Sequence, residues 1–131
     1  MLKALLIFLG AGGGGVLRYV VGGLVQAWWG TSFPMGTLAV NVTGCLAMGV
    51  LAALFPESSR LSDQYKALIF IGILGGYTTF SSFGRETMAL MQESQYARAA
   101  AYVLASNVLG IGATLLGYVA VHRLLSSHGA A

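Results

Sequence analysis

Hydrophobic positions fall into four long runs separated by short polar segments, at about residues 4–28, 33–55, 67–91 and 98–122. Each run meets the requirement of about 20 apolar residues for a helix that crosses a bilayer. The strands of an outer-membrane barrel would alternate apolar and polar residues with a period of two, and these runs do not alternate. The pattern predicts an all-α integral membrane protein with four transmembrane helices, in a single domain over residues 1–131.

The third run changes character before it reaches a loop. Residues 69–86, IFIGILGGYTTFSSFGRE, are apolar as far as a pair of glycines and then turn polar and aromatic. Each glycine weakens a helix by about 1 kcal/mol relative to alanine, and Thr and Ser side chains bond their own backbone in non-helical conformations. We therefore expect a break near the middle of the third helix, between Gly75 and Thr79.

A break inside a bilayer frees backbone groups, which are tolerated only where they are buried in protein, line a wet cavity or bind an ion. The break is therefore the expected functional site. The alternative is that Gly72 and Gly76, which form a GxxxG pattern, serve only close helix packing. Phe80 and Phe83 beside several hydroxyl groups favour a site, because packing alone does not require that mixture. After the break, Arg85 and Glu86 are expected to form an ion pair at the membrane end.

The first span contains glycines and one arginine. Gly10 and Gly14 form a second GxxxG pattern, which favours close helix contact. Arg18 lies within the span, where a charged side chain is costly. The favoured interpretation is that it extends to the membrane interface near Tyr19, Trp28 and Trp29, and direct contact with an ion in a vestibule is the alternative.

The second and fourth spans contain polar side chains without charged residues beside them. Asn41, near the middle of the second span, could bond across helices or act in a pathway. In the fourth span, residues at intervals of four share one helix face, and this stripe suits either ion transfer between hydroxyls or close packing. Its members are Tyr102, Ser106, Gly110, Thr114 and Tyr118.

Charge constrains both the solute and the topology. No Asp or Glu lies in the middle of a span, so a proton relay or carboxylate cation site is not expected, and hydroxyls, an amide and basic groups favour an anion. The orientation of a membrane protein follows the difference in Lys and Arg content between the two sides of the membrane. Here one side has four of these residues and the other has three. These are Lys3, Arg60, Lys66 and Arg123 on one side and Arg18, Arg85 and Arg98 on the other. The chain could therefore insert both ways up, which permits an antiparallel homodimer with a pathway between subunits.

Only 8% of the residues are charged and 56% are hydrophobic, far from the roughly one-quarter charged composition of soluble domains. The single cysteine, Cys45, excludes an internal disulfide. We find no nucleophile and base pair and no metal cluster, so we expect neither an enzyme nor a nucleic-acid-binding protein.

Three segments together resemble the Fluc (CrcB) family of fluoride channels: GGGGVLRY in the first span, GTLAVNVTG in the second and GGYTTFSSFGRE in the third. The resemblance covers essentially the whole chain. It implies a dual-topology homodimer in the bacterial inner membrane, with two antiparallel pores that export cytoplasmic fluoride passively and lower its toxicity. A structural sodium ion at the dimer interface is implied as well.

The resemblance also assigns roles to individual residues. It implies that ring edges of Phe80 and Phe83 contact fluoride, that Asn41 donates to the ion, and that carbonyls of Gly75 and Thr78 face the sodium. The remaining candidate pore residues are Thr79 and Ser81 at the break and Tyr102, Ser106 and Thr114 in the fourth span. Gly110 interrupts the hydroxyl series, and Arg18 matches the arginine of the first motif.

Two other classes of protein remain as alternatives. A small dual-topology drug or metabolite exporter would need a membrane-embedded glutamate in the first span, and the span has none. A non-transporting membrane scaffold would need only the glycines, and it predicts that Phe80→Ile or Asn41→Asp changes no transport assay.

Overall fold

The fold is all-helical in the described part of a computed structural model, which covers residues 1–56, 59 and 61–128, without the side chain of His128. Arg60, one of the basic residues compared above, lies outside this part. The elements are α1 (Leu2–Trp29), α2 (Met35–Leu54), α3 (63–77), α4 (Phe80–Gln92) and α5 (Tyr96–His128).

Four helical segments of the described residues are long and apolar enough to cross a membrane: Leu2–Trp29, Met35–Leu54, Asp63–Gln92 and Tyr96–Ser127. They overlap the four predicted spans, and the third of them consists of α3 and α4. The expectation of four membrane-spanning helices is therefore confirmed in number and in order.

Helix α3 is composite, and it ends inside the span. An α-helical turn (Asp63–Lys66) leads into a π-helical segment (Ala67–Leu74), and Gly75–Tyr77 is α-helical again. Thr78 and Thr79 are extended, with φ and ψ of −81° and 158° and of −151° and 116°. The predicted break is thus confirmed, and only the short α-helical segment Gly75–Tyr77 separates it from a π-helical stretch of the kind that often marks functional sites.

Helices α1 and α3 approach each other through their two GxxxG patterns. A Cβ atom on Gly10 would lie 3.1 Å from the Cα of Gly72, and one on Gly76 would lie 2.5 Å from the carbonyl oxygen of Ala11. A Cβ on Gly14 would collide with the backbone of α3 at Ile73. The close packing predicted for both patterns is confirmed, and it coexists with the break in the same span.

Helices α2, α4 and α5 meet around a buried aromatic and aliphatic cluster beside the break. The cluster consists of Leu38, Phe83, Leu90, Ala99 and Tyr102. Large apolar side chains elsewhere on α1 and α5 are exposed, among them Phe8 at 74% and Leu104 at 65%. Exposed apolar surface on this scale is typical of a protein whose outer face meets lipid or another subunit.

Candidate functional site

The break is held from α2 by one amide side chain. The backbone N–H of Thr79 donates to Asn41 Oδ1 at 2.8 Å, and Asn41 Nδ2 donates to the Thr79 carbonyl oxygen at 3.0 Å. In a continuous α-helix, the Thr79 N–H would bond to the carbonyl of Gly75. Asn41 therefore replaces the helical partners of the extended residue, so that both freed backbone groups of Thr79 are satisfied inside the protein.

Arg18 approaches the same break from α1. Its Nη1 donates to the Thr78 carbonyl oxygen at 3.3 Å, and its side chain is half-buried. The interpretation that Arg18 extends to the membrane interface is therefore wrong in this structure. The guanidinium turns inward because a carbonyl released from its helix is a better partner at that depth than hydrocarbon.

The first turn of α4 is capped within the motif itself. Thr79 Oγ1 accepts from the Ser82 N–H at 3.1 Å and lies 3.2 Å from Ser81 Oγ and 3.1 Å from Ser82 Oγ. Threonine in an extended conformation before a helix is a preferred N-cap. Thr79 and Ser81 therefore stabilise the start of α4, and Thr79 also lines the cavity described next.

A cavity of about 270 Å³ lies beside the break, between α2, α4 and α5. It brings together Asn41, Thr79, Phe80, Phe83 and Ser106, five of the eight predicted pore residues. The other residues along it are Gly44, Cys45, Met48, Thr78 and Asn107. The side chains that surround it thus combine hydroxyl and amide groups with aromatic rings, as the sequence motif predicts for an anion pathway.

Ser106 contributes the one polar atom of this cavity that is buried without a partner. Its Oγ has no hydrogen-bond partner within the described structure. A buried hydroxyl without a partner costs about 1–3 kcal/mol, so such a group calls for an explanation. Because Ser106 also lines the cavity, its hydroxyl is a candidate donor to a ligand there.

The two phenylalanines of the motif differ sharply in burial. Phe80 is 81% exposed and Phe83 is 8% exposed, with ring centroids 5.3 Å apart and planes tilted by 46°. Phe83 in turn packs on Tyr102 at 5.2 Å. Phe83 thus packs on two aromatic rings, whereas Phe80 contacts one aromatic ring of the described chain, that of Phe83.

The stripe of hydroxyls predicted along the fourth span is not continuous within this chain. Thr114 Oγ1 donates to carbonyl oxygens of Cys45 and Gly110, at 3.1 and 3.2 Å, and it does not line the cavity. Tyr102 is fully buried and turns to α4. Only Ser106 faces the cavity, so the structure favours the packing interpretation for Thr114.

Glu86 has partners that the sequence did not predict. Its carboxylate accepts from Thr37 Oγ1 at 2.8 Å and from Tyr102 Oη at 2.7 Å. The expected ion pair with Arg85 is absent among the described residues. Glu86 lies one and a half turns into α4 and points inward, whereas Arg85 is exposed. The amphipathic periodicity of α4 could have predicted that Arg85 faces outward and Glu86 faces inward.

Two wider cavities continue from the break toward the loop end of the molecule. One of about 490 Å³ is lined by Arg18, Thr37, Thr79, Ser82 and Glu86, among others. The next, of about 620 Å³, shares Glu86 and Gln26 with it and reaches Arg85, Glu93 and the loop before α2. Arg18 thus lines a vestibule-like space, as the sequence allowed, while its guanidinium bonds to the backbone.

The predicted sodium ligands, Gly75 and Thr78, differ in how well they fit a cation. The Thr79 N–H, which would be the helical donor to the Gly75 carbonyl, donates to Asn41 instead. Gly75 is also exposed. Its carbonyl oxygen therefore suits a ligand for Na⁺ at a subunit interface. The Thr78 carbonyl already accepts from the positively charged Arg18. Gly75 therefore fits the ion, and Thr78 would share its oxygen between two cations.

A comparison with protein families identifies the family of this chain. The family model described as "CrcB-like protein, Camphor Resistance (CrcB)" matches residues 5–118. The match includes nearly all of α1, all of α2, the break and most of α5.

Curated proteins with the name "Fluoride-specific ion channel FluC" are similar over nearly the full chain. The protein from Coxiella burnetii (strain Dugway 5J108-111) is 47% identical over 126 residues, which are 94% of this chain and all of that protein. The protein from Methylobacterium nodulans is 44% identical over 118 residues, 88% of this chain and 94% of the other. The one from Rhodospirillum centenum is 40% identical over 126 residues, 96% of this chain and all of the other.

Proposed function

Because this chain belongs to the CrcB-like protein family, we propose that it is a fluoride-specific ion channel, a multi-pass membrane protein and not an enzyme. The observation that carries the proposal is the cavity where Asn41, Phe80, Phe83 and the partnerless Ser106 hydroxyl meet beside the break. The relatives that are similar over nearly their whole length carry the name of such a channel.

The chemistry of the cavity suits a small anion. Ser106 offers a proton that no other group among the described residues accepts, and an asparagine amide has two protons, of which Thr79 takes one. Aromatic rings carry a positive edge, so Phe80 and Phe83 can face an anion without binding it as strongly as a full positive charge would. Favourable but weak contacts are what rapid conduction requires.

No described group in the cavity could couple transport to a proton or another ion. Glu86 lies in the neighbouring cavity, with its carboxylate held by Thr37 and Tyr102. Hydrogen fluoride is a weak acid that crosses lipid uncharged and dissociates in a near-neutral cytoplasm. A passive pore in the bacterial inner membrane then lets the membrane potential, about 2.3 kcal/mol per charge per 100 mV, drive fluoride out and lower its toxicity.

We further propose that the working unit is an antiparallel homodimer with two pores, each lined by both subunits. The 81% exposed ring of Phe80 supports this proposal, because the chain itself leaves most of that ring uncovered. A second copy that packs across the break would cover it. The near balance of Lys and Arg on the two sides permits both orientations.

A structural sodium ion fits the same arrangement. The Gly75 carbonyl, with the Thr78 carbonyl as a second ligand, would hold it at the subunit interface. When bound, such an ion would supply a positive charge. This charge would offset the partial negative charges of the carbonyl oxygens that the breaks of the two subunits bring together. The residues of the chain themselves satisfy the rest of the break, through Asn41 and Arg18.

The proposed function is tested by fluoride release from liposomes that contain the purified protein. Fluoride and chloride electrodes follow the two anions separately, and valinomycin with potassium balances the charge. We expect fast fluoride release and no chloride release above that of protein-free liposomes. If well-folded protein releases no fluoride, the channel assignment is wrong, and the exporter and scaffold alternatives return.

The proposed dimer and its dependence on sodium are tested by measuring the molecular mass of the protein in detergent. Light scattering in detergent should give twice the mass of one chain in sodium buffer. Replacing sodium with N-methylglucamine is expected to increase the monomer fraction upon dilution, with full reversal when sodium is restored. A monomer that retains its fluoride release after reconstitution at one copy per vesicle would contradict the shared pore. A dimer that is equally stable in both buffers would contradict the sodium site.

A further inference from the structure

We propose that Arg18 is a positioning residue of the pore. Its guanidinium holds the Thr78 carbonyl and so fixes the direction in which Phe80 leaves the break, without itself binding the permeating anion. The inference rests on the proposed channel function. For Arg18, the sequence allowed either a position at the membrane interface or direct contact with an ion, and positioning of the break is a third role.

The Thr78 carbonyl has lost its helical hydrogen-bond donor. In a continuous α-helix the N–H of Ser82 would donate to the Thr78 carbonyl, but here it donates to Thr79 Oγ1 at 3.1 Å. The Thr78 carbonyl is thus released inside the membrane-spanning part, where a backbone oxygen requires a donor. Arg18 Nη1 supplies that donor from α1 at 3.3 Å.

Arg18 lies well inside the membrane-spanning helix α1. Lys3 and Arg18 are the basic residues of α1, and Arg18 lies near the middle of this helix. An arginine at such depth is costly unless it pairs inside the protein, and backbone carbonyls are among its usual partners. The close packing of Gly14 against α3 brings α1 near enough for this contact. Gly14 therefore allows α1 to approach the break, and Arg18 supplies the hydrogen-bond donor for the Thr78 carbonyl.

Arg18 and Asn41 together hold the backbone immediately before Phe80. Asn41 on α2 holds the peptide groups of Thr79, and Arg18 on α1 holds the preceding carbonyl of Thr78. Phe80 follows immediately, and its exposed ring contacts only Phe83 among aromatic neighbours of the described chain. The direction in which the Phe80 side chain leaves the break therefore depends on the backbone that Arg18 and Asn41 hold.

The contact itself is tested by solid-state NMR of the protein in lipid bilayers. Protein with ¹⁵N-guanidino arginine and carbonyl-¹³C threonine should show a nitrogen to carbon dipolar coupling for one membrane-buried threonine carbonyl, at a distance within about 5 Å. Thr78→Ser, which keeps the backbone carbonyl and removes the label, should abolish that signal. If the coupling is absent, or persists in Thr78→Ser, the proposal is overturned. This measurement does not depend on whether the protein conducts fluoride.

The role is tested by the dependence of release rate on fluoride concentration. We expect Arg18→Met, which has no donor, to lower the rate at least 50-fold at every concentration, with the half-saturating concentration changed less than twofold. Arg18→Lys, which restores a donor, should recover the rate to within tenfold of the parent protein. Arg123→Met, at the exposed end of α5, is the matched control and should release fluoride at the parent rate.

Two outcomes would contradict positioning by Arg18. A raised half-saturating concentration with an unchanged maximal rate would identify Arg18 as a direct anion ligand. An Arg18→Met protein with the parent rate would show that the break needs no donor from α1. If Arg18→Met does not fold, the NMR measurement and Arg18→Lys still decide between the outcomes. Failure of the parent protein to release fluoride would instead reject the proposed function and leave the NMR contact intact.

Discussion

Replacing Phe80 with isoleucine is expected to abolish fluoride release. The ring of Phe80 is 81% exposed beside the cavity and contributes little to the buried core of its own chain. Isoleucine keeps the side chain apolar and removes the positive ring edge that an anion can approach. We expect at least a 100-fold decrease in rate, which corresponds to about 2.7 kcal/mol of barrier, with the thermal midpoint in detergent changed by less than about 3 °C.

A matched control separates the ring edge from a general loss of aromatic surface. Phe8 on α1 is 74% exposed and lies outside the cavities described above, so Phe8→Ile removes a comparably exposed ring. Ion-selective electrodes should record parent rates for Phe8→Ile and background rates for Phe80→Ile. Equal rates for the two variants would reject the role of Phe80 and favour a non-conducting scaffold.

The break could be predicted from sequence because its causes are local. Two adjacent glycines lower helix propensity, and the threonine that follows prefers an extended conformation in which it caps the next helix. Both properties belong to single residues and need no knowledge of neighbouring helices. The four spans were predictable for the same reason, since hydropathy over about 20 residues is also a local property.

The partners of the break were not predictable, because they depend on the register between helices. Arg18 and Thr78 are 60 positions apart, and Asn41 and Thr79 are 38 apart. One helix can slide or rotate on another without any change in its own periodicity. The sequence therefore identified Asn41 and Arg18 as polar residues that need an explanation, but it did not reveal that both bond to consecutive peptide groups.

The fourth span shows how a regular pattern can mislead. Its hydroxyls fall at intervals of four residues except at Gly110, yet Tyr102 donates to Glu86 and Thr114 donates to the backbone, and of these hydroxyls only that of Ser106 belongs to a residue that lines the cavity. Such a stripe drifts around the helix. Different members of the stripe therefore meet different neighbours, and a sequence period alone cannot assign all of them to one path.

Asn41→Asp is expected to stop fluoride release and to destabilise the break. The carboxylate can still accept from the Thr79 N–H, but at neutral pH it cannot donate to the Thr79 carbonyl, which now lies about 3 Å from a negatively charged oxygen. A buried carbonyl without its donor costs about 1–3 kcal/mol. The new charge also repels an anion in the cavity that Asn41 lines. We expect a decrease in rate of at least about 100-fold.

Gln92→Glu is the matched control for this change, because it makes the same replacement of an amide by a carboxylate at an exposed position near the end of α4. It should release fluoride at the parent rate, so that any loss in Asn41→Asp is due to position and not to net charge. The thermal midpoint in detergent should decrease for Asn41→Asp and stay unchanged for Gln92→Glu. Normal fluoride release by Asn41→Asp would mean that neither the two hydrogen bonds to Thr79 nor the charge of the cavity controls conduction. The break would then be a packing feature, as the glycines alone would allow.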